Sequence, residues 1–387
     1  MFFSLFFVTL PQIAKSMYLH IFNPEHDIAL AANLANFTAP HAGRQLRHDL
    51  GFLPALWADE DDVVLVDDVE QAQQSYSRLV DAVRSHLSSC FLHENHRFLP
   101  LTPSVSHAET DAILPWGWDR ALCERLRRCG VAEPLLPTDE RLDAIRLLSH
   151  RRTSARLLPL LQGEQTVGEA FECHSLEDVA FVARPYQQVV IKAPWSSSGR
   201  GVKFCDASRL AVSANWVNSV IARQGSVMVE PLYNKVKDFG VEFSVDTQGV
   251  IHYEGLSLFQ TVRGAYVGNI LASEQCKRDM LSRYLPLTLL DQTVHKITQT
   301  TLLEGYTGPF GIDMMVCDAS GGHQPDQTGD APKNYLLHPC VELNLRRTMG
   351  HVALSLSPSS YDETGLMCIE LTDHYRVEIK PLQDNIF

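Results

Sequence analysis

The sequence has fewer basic than acidic residues, and this balance weighs against nucleic acid and anionic membranes as partners. Among 387 residues, 33 lysines and arginines stand against 46 aspartates and glutamates, which gives a formal net charge of −13. A surface of that sign repels phosphate backbones and anionic lipid headgroups. We therefore expect no nucleic-acid partner and no membrane partner, and an anionic substrate has to be held by a local cluster of cations.

No CxxC pair occurs among the nine cysteines, which are scattered along the chain. An odd number of unclustered cysteines argues against both a disulfide framework and a zinc knuckle. It favours reduced thiols, and we expect a cytoplasmic protein.

Long apolar runs are also missing, since no stretch approaches the roughly 20 residues that span a bilayer. The apolar run Phe2 to Leu10 is too short, and no basic residues precede it as they do in a signal peptide. Met17 stands directly before a good strand pattern, Tyr18 to Phe22. We interpret residues 1–16 as a misassigned start or a disordered leader, and we prefer this interpretation to a signal peptide or a lipid-facing anchor.

What the chain does have is a globular composition, with 45% hydrophobic and 20% charged residues, and room for two or three domains. In the first part, short apolar runs such as Tyr18 to Phe22, Val63 to Val66 and Ala112 to Leu114 alternate with amphipathic stretches. This alternation is typical of an α/β layer with a mostly parallel sheet. The proline-rich stretch from Glu133 to Asp139 predicts a domain boundary.

In the second part, successive apolar runs are separated only by short polar turns. Val189 to Ala193, Ser226 to Glu230, Phe310 to Val316 and Tyr335 to Asn344 have strand character. Short connections such as Asp246 to Gly249 imply hairpins. We therefore expect an α+β region with antiparallel sheets.

The first group of residues that could take part in binding or catalysis begins at Lys192, at the end of a strand. Ser196 to Gly201 follow as a loop of small residues, whose backbone N–H groups could fold over phosphates. The segment is not a Walker A loop, because no Gly-Lys-Ser/Thr follows. An ordinary hairpin turn after a chance lysine is the alternative.

The second group is Glu230 to Leu232, a strand that runs into a turn. The free backbone groups of such a strand end could pair with the edge of adenine. Asp238 and Glu242 follow on the next strand, and either carboxylate could accept hydrogen bonds from ribose. Taken by itself, this group fits a solvated strand end with surface acids at least as well.

The third group lies on two later strands and is the most specific. Asp313 is on one strand, and Glu342 and Asn344 share one face of the other because side chains alternate along a strand. Two carboxylates and an amide oxygen form a hard oxygen site of the kind that Mg²⁺ prefers. Arg346 lies beside them and could stabilise a transferring phosphoryl group. A surface salt bridge between Glu342 and Arg346 is the simpler alternative.

Taken in chain order, these groups resemble the ATP-grasp superfamily of carboxylate-amine and thiol ligases. The resemblance covers about residue 137 to the C-terminus, and residues 17–136 then resemble the pre-ATP-grasp domain that commonly precedes it. It implies a Rossmann-like N-terminal domain followed by a two-lobed ATP-grasp domain over 137–387, with antiparallel sheets. The lid lobe would span about 145–232 and the metal-binding lobe about 233–387.

The same resemblance implies nucleotide contacts for individual residues. Lys192 would contact the ATP phosphates, Glu230 and the backbone near Leu232 would hold adenine, and Glu242 would hold the ribose. The loop that closes over the phosphates would consist of Ser196, Ser197, Ser198, Gly199, Arg200 and Gly201.

For the metal, the resemblance implies two Mg²⁺ ions, which Mn²⁺ can replace, on Asp313, Glu342 and Asn344. The sequence departs from the family where many members have a second lysine, since Arg151 or Arg152 occupies that region. Arginine keeps the positive charge but changes the geometry of a phosphate contact. Arg263 is a further candidate for the missing cation.

Charged residues also follow the first strand, where α/β sheets bind ligands. Since the family's substrates approach from the pre-ATP-grasp side, Glu25, His26 and Asp27 could orient an amine or a carboxylate. A turn that caps the next helix is an equally good reading of this segment.

The function that the sequence predicts is an ATP- and Mg²⁺-dependent ligase. It would join a small-molecule or peptide carboxylate to an amine or another nucleophile through an acyl phosphate, releasing ADP and phosphate. Lys192, Arg263 and Arg346 would offset the charge that develops. A small-molecule kinase of the same fold and a nucleotide-binding protein without turnover remain alternatives. A homodimer is compatible with this reading.

Overall fold

The computed structural model describes residues 17–93, 96–102, 110–196, 201–262, 265–319 and 334–382, so the expectation for residues 1–16 lies outside the described residues. The described N-terminal part forms a parallel sheet with helices. Its elements are β1 (Tyr18–Ile21), α1 (His26–Ala32), α2 (His41–Leu50), β2 (Val63–Val66), α3 (Val69–His86), β3 (Arg97–Pro100), β4 (Ala112–Pro115) and α4 (Arg120–Arg128). The strand order is β3-β2-β1-β4, with every neighbouring pair parallel.

The apolar run of β2 shows why this sheet is parallel and covered on both faces. Val64 and Val66 pack into the core that includes α3, whereas Val63 and Leu65 pack into a second core that includes α4. Successive side chains point to opposite faces of a strand, so a continuous apolar run requires an apolar layer on each side.

A small antiparallel sheet follows in the chain. Its region contains α5 (Asp139–Leu148), α6 (Arg152–Leu161), β5 (Phe171–Cys173), α7 (Leu176–Ala183), β6 (Gln188–Lys192), β7 (Val202–Asp206), α8 (Ala214–Gln224) and β8 (Val227–Pro231). The strands lie in the order β5-β8-β6-β7. The two helices α5 and α6 are separated by a break between Leu148 and Arg152, and this break turns Arg151 toward the loop after β6.

The largest sheet is antiparallel and is built by the last third of the chain. Its elements are β9 (Lys235–Val245), β10 (Ile251–Val262), β11 (Ala265–Leu271), α9 (Glu274–Ser282), α10 (Leu287–Thr298), β12 (Gly308–Asp318), β13 (Tyr335–Asn344), α11 (Met349–Ser355), β14 (Gly365–Leu371) and β15 (Tyr375–Pro381). The strand order is β13-β12-β9-β10-β11-β14-β15.

One hydrophobic core joins the two ends of the chain. Phe22 and Trp116 of the parallel sheet region belong to the same buried cluster as Val352 of α11 and Met367 of β14. The Arg347 amide also donates a 2.9 Å hydrogen bond to the Trp116 carbonyl. The parallel sheet is therefore docked on the large sheet beside the end of β13. The domain limits given above remain predictions.

Across the part of the chain that the structure describes, none of the helices combines the length and the apolar character needed to cross a bilayer.

Candidate active site

Lys192 ends β6 and its ammonium group lies between the two antiparallel sheets. Nζ donates to Glu230 Oε2 at 2.6 Å and to the Val341 carbonyl at 3.4 Å. Both side chains of the Lys192–Glu230 pair are buried, because β6 and β8 are neighbours in the small sheet. The two residues that the sequence predicted for phosphate and adenine are thus brought together.

Arg151 connects this region to the large sheet. Its guanidinium donates to the Ala193 carbonyl at 2.6 Å, to Ser196 Oγ at 2.7 Å and to Glu342 Oε1 at 2.6 Å. The side chain is almost fully buried. Arg151, rather than Arg152, therefore occupies the cleft, since Arg152 forms an ion pair with Glu172 at 2.7 Å.

The three residues predicted to bind metal lie together on β12 and β13. Asp313 is directly opposite Glu342 in the antiparallel register, and Gly311 is opposite Asn344. Asn344 Nδ2 donates to Asp313 Oδ2 at 3.3 Å. The strand alternation used in the sequence argument has put these side chains on one face.

The electrostatics of this group fit a bound cation. Burial raises the pKa of Asp313 to about 8, and the carboxylates of Glu342 and Glu242 add to the rise. Carboxylates that are gathered without an intervening positive ion repel one another, and a divalent cation favours their ionised forms. Within the described ranges, no three His, Cys, Asp or Glu side chains form a metal cluster. That result is compatible with the predicted set, which contains two carboxylates and an amide.

Glu242 is placed differently from the expectation. It is 3% exposed, and Thr348 Oγ1 donates to its Oε2 at 2.8 Å while His351 Nδ1 lies 3.0 Å from the same oxygen. A Cβ at Gly350 would overlap its carboxylate. Because the chain encloses Glu242 in this way, the ribose contact predicted for it has no support from the structure.

Asp238, the other ribose candidate, is half-buried on the same strand. Its carboxylate accepts a 2.8 Å hydrogen bond from Thr261 Oγ1 and forms an ion pair with Lys235. It is closer in sequence to Leu232, lies near the start of β9 and is less enclosed than Glu242, which makes it the better candidate for the ribose.

Leu232 itself is exposed at the end of β8, and its amide donates to the Gln188 carbonyl at 3.0 Å. The amide is therefore used within the sheet. An adenine contact by Leu232 is left to its carbonyl oxygen and its side chain.

The sequence argument missed His338, which lies beside this region on β13. Its ring is 5.5 Å from that of Tyr233 in an edge-on arrangement, and it is buried against Gly168. Burial, followed by the nearby Lys192, lowers the pKa of His338 to about 4. Neither ring nitrogen has a partner among the described residues. A single histidine within an apolar strand gave no sequence signal.

Arg346 and Asp27 form a contact between α1 and the segment that follows β13. Arg346 Nε donates to Asp27 Oδ1 at 3.0 Å and Nη2 donates to Oδ2 at 2.7 Å. Arg346 Nη2 also donates to Asn344 Oδ1 at 3.1 Å. Burial would raise the pKa of Asp27, but Arg346 outweighs it and the pKa is lowered. Asp27 is thus ionised beside the predicted metal site.

The structure does not bring Glu25 and His26 to this place. His26 is buried, its ring covers Gly117, and Nδ1 lies 3.2 Å from Asp119 Oδ2. Glu25 forms an ion pair with Arg47. Of the three residues predicted to orient a substrate, only Asp27 contacts Arg346 beside the predicted metal site, and its role toward a substrate stays a prediction.

Part of the predicted loop and one predicted cation lie outside the described residues. These are Ser197, Ser198, Gly199 and Arg200 of the loop, and Arg263. The two ends of the loop are described. The Gly201 carbonyl accepts a 2.8 Å hydrogen bond from the Ala193 amide, and a Cβ at Gly201 would overlap the Ser196 side chain. Glycine is therefore required where the loop returns to β6.

No family model and no curated protein matches the sequence. Solved structures do match. N5-carboxyaminoimidazole synthetase from Staphylococcus aureus, complexed with ADP, is similar over 96% of this chain and 94% of its own, with 11% identity and a TM-score of 0.50. The biotin carboxylase domain of Hydrogenobacter thermophilus 2-oxoglutarate carboxylase is similar over 92% and 74%, with 14% identity and a TM-score of 0.47.

The staphylococcal synthetase is an ATP-grasp ligase, and its similarity extends over nearly the whole length of both chains. The parallel sheet, the small antiparallel sheet and the large antiparallel sheet occur here in the order that the sequence predicted. This chain therefore has the ATP-grasp fold.

Proposed function

We propose that the protein is an ATP- and Mg²⁺-dependent ligase that forms a carbon–nitrogen bond and releases ADP and phosphate. The observation that carries this proposal is the position of Arg151. One guanidinium contacts Ser196, at the start of the small-residue loop, and Glu342, in the oxygen-rich group. A phosphate chain beside this cation would lie between a covering loop and a metal site, which is the arrangement phosphoryl transfer needs.

For the nucleotide, the residues of the small sheet supply complementary groups. Lys192 and Arg151 provide positive charge for the phosphates. Lys192 is paired with Glu230 in this structure, and this ion pair would weaken as Lys192 contacts the nucleotide. Leu232, Tyr233 and His338 border the place expected for adenine. Asp238 is proposed as the acceptor for the ribose hydroxyls.

For the metal, Asp313, Glu342 and Asn344 supply the oxygen ligands. Mg²⁺ bound there would neutralise phosphate charge as the reaction proceeds. Glu242 would act through its charge, since its enclosed carboxylate raises the pKa of Asp313 and adds negative potential at the three oxygen ligands.

The reaction would take place beside Arg346. A carboxylate oxygen of the substrate attacks the γ-phosphorus, the bond to the β,γ-bridging oxygen breaks, and ADP leaves. An amine then attacks the acyl carbon, the carbon–oxygen bond breaks, phosphate leaves and the amine nitrogen loses a proton. Arg346 would stabilise the charge on the acyl phosphate, and Asp27 would hold Arg346 in position through its paired hydrogen bonds.

A screen for ADP release tests the proposal. The protein is incubated with MgATP and pools of metabolites, ADP is measured, and the product is analysed by mass spectrometry. ADP that appears only with a carboxylate and an amine together, with an amide as product, supports a ligase. ADP release with one hydroxyl compound and a phosphorylated product would indicate a kinase instead. Binding of ATP without ADP under every mixture would contradict turnover.

A further inference from the structure

A separate cavity lies in the N-terminal region, between α2 and α4. Its volume is about 340 Å³, and it is bordered by Asn23 and Glu25 after β1 and by Asp119 after β4. The strand order β3-β2-β1-β4 means that the chain leaves β1 toward β2 on one side and later returns to β4 on the other. The gap beyond β1 and β4 is therefore the point where parallel α/β sheets bind ligands.

One carboxylate oxygen in this cavity lacks a donor. Arg47 donates to Glu25 Oε1, whereas Glu25 Oε2 is buried and has no partner among the described residues. Burying a carboxylate oxygen without a hydrogen bond is unfavourable. Oε2 has almost no accessible surface in this structure, so a ligand N–H group would supply the missing hydrogen bond once the Glu25 side chain turns toward the cavity.

One cation in the cavity also lacks a carboxylate. Arg44 donates to the Ala39 carbonyl at 2.6 Å, and no described carboxylate forms an ion pair with it. The other arginines of the cavity are paired within the chain. Arg47 and Arg125 contact Asp67, and Arg128 contacts Glu124.

We propose that this cavity binds a small zwitterion of the amino-acid type, with its ammonium group on Glu25 and its carboxylate or phosphate on Arg44. An arginine fork matches a carboxylate or phosphate in two parallel hydrogen bonds. The volume is at the lower end of the roughly 300–1,000 Å³ found for ligand pockets, which suits a molecule of that size.

The cavity is distinct from the cleft that contains Arg346. Asp27 and Glu25 lie on α1 and immediately before it, yet they contact different partners, Arg346 and Arg47. Because the proposed reaction takes place beside Arg346, a zwitterion held on Glu25 and Arg44 is a regulatory ligand and not the amine substrate. This role rests on the proposed function, whereas binding in the cavity does not.

The test is calorimetry without nucleotide on the full chain. The probes are the twenty common L-amino acids and O-phospho-L-serine, titrated one at a time. Succinate and ethylamine serve as controls because each carries charge of only one sign. We expect at least one zwitterion to bind and both controls to fail.

Two variants and a matched control locate the site. Arg44→Ala changes an exposed side chain, and Glu25→Gln keeps the shape of the side chain while removing its charge. Each should weaken binding at least tenfold. Arg78→Ala, on the exposed face of α3 where Arg78 contacts Ser75, should leave affinity unchanged. Failure of every zwitterion, equal binding of the controls, or unchanged affinity in Arg44→Ala would overturn the proposal.

A second measurement tests the regulatory role. We expect the bound zwitterion to change the rate of ADP release and to be recovered intact. If ADP release required the zwitterion and mass spectrometry found it in the product, the ligand would be a substrate and the regulatory role would be wrong. Because binding is measured without ATP, a protein that failed to bind ATP would contradict the proposed function and leave this site standing.

Discussion

The ion pair between Asp27 and Arg346 joins residues that lie 319 positions apart in the sequence. Two nitrogens of Arg346 meet the two oxygens of Asp27, and the same guanidinium also contacts Asn344 of the predicted metal site. The first helix of the N-terminal region thereby fixes the position of a cation that lies just after β13. In our account, this contact orients the group that stabilises the acyl phosphate.

The first prediction concerns this pair. Arg346→Ala should lower turnover by about 100- to 1,000-fold, the loss typical of removing one donor to a developing charge. Asp27→Asn should lower turnover by a smaller factor because the guanidinium stays but is held less firmly. ATP affinity should change little in either variant, because adenine and phosphate contacts lie elsewhere.

Steady-state kinetics and ATP titrations check this prediction. Asp143→Asn is a suitable control, since Asp143 forms an exposed ion pair with Arg120 away from the cleft. If Asp27→Asn turned over as fast as the wild type, the positioning role of Asp27 would be wrong.

The second prediction separates His26 from Asp27. His26 is buried next to Asp119, and its ring atoms would lie 2.7–2.8 Å from a Cβ at Gly117. His26→Ala should therefore reduce the free energy of unfolding by about 1–3 kcal/mol, through a lost hydrogen bond and a cavity. Turnover per folded molecule should stay the same.

Denaturant unfolding and active-site-normalised kinetics on His26→Ala decide the matter. An intact stability together with lost turnover would restore His26 as a residue that contacts the acceptor.

The third prediction concerns the loop over the phosphates. Gly201→Ala places a methyl group against Ser196, and Ser196 must then shift away from Arg151. We expect ATP affinity to fall about tenfold, since a displaced loop loses contacts that are each worth roughly 1 kcal/mol. Gly163→Ala is the matched control, because a Cβ there has only Lys296 Nζ at 3.7 Å. Equal affinities of the two variants would count against a phosphate contact by this loop.

The fourth prediction is a pH dependence. The pKa of Asp313 is raised to about 8, so the side chain is mostly neutral at pH 7 and must lose its proton when a metal binds. Affinity for Mg²⁺–nucleotide should therefore increase about tenfold per pH unit as pH approaches 8 from below, and level off above it. Asp313→Asn should bind weakly and should lack this pH dependence. A flat profile in the wild type would contradict the assignment of Asp313 as a ligand.

Much of the site could be predicted because it depends on strand alternation. The shared face of Glu342 and Asn344 follows from period two, whereas Asp313 joins them through the register that places it opposite Glu342. The buried apolar run of β2 gave the parallel sheet in the same way. Periodicity and apolar runs within single strands were sufficient to predict these features.

The remainder depends on contacts between distant segments. Nothing in the sequence near Glu242 indicates that Gly311 and Gly350 enclose it, and the Asp27–Arg346 pair joins opposite ends of the chain. The break after Leu148 decides where Arg151 points, but neither glycine nor proline marks it in the sequence. Strands β14 and β15 gave no clear period and were not predicted.

The measurement that tests the central claim most directly is calorimetric titration of ATP into wild type and Glu342→Ala, with Mg²⁺ and with a chelator. Glu342 is opposite Asp313 and contacts Arg151, so it should hold both the metal and the phosphate-binding cation in place. We predict that ATP binds to the wild type, that the chelator weakens binding at least tenfold, and that Glu342→Ala removes this dependence on Mg²⁺ while the protein stays folded. Equal ATP affinity in all four titrations, or no binding by the wild type, would contradict the account.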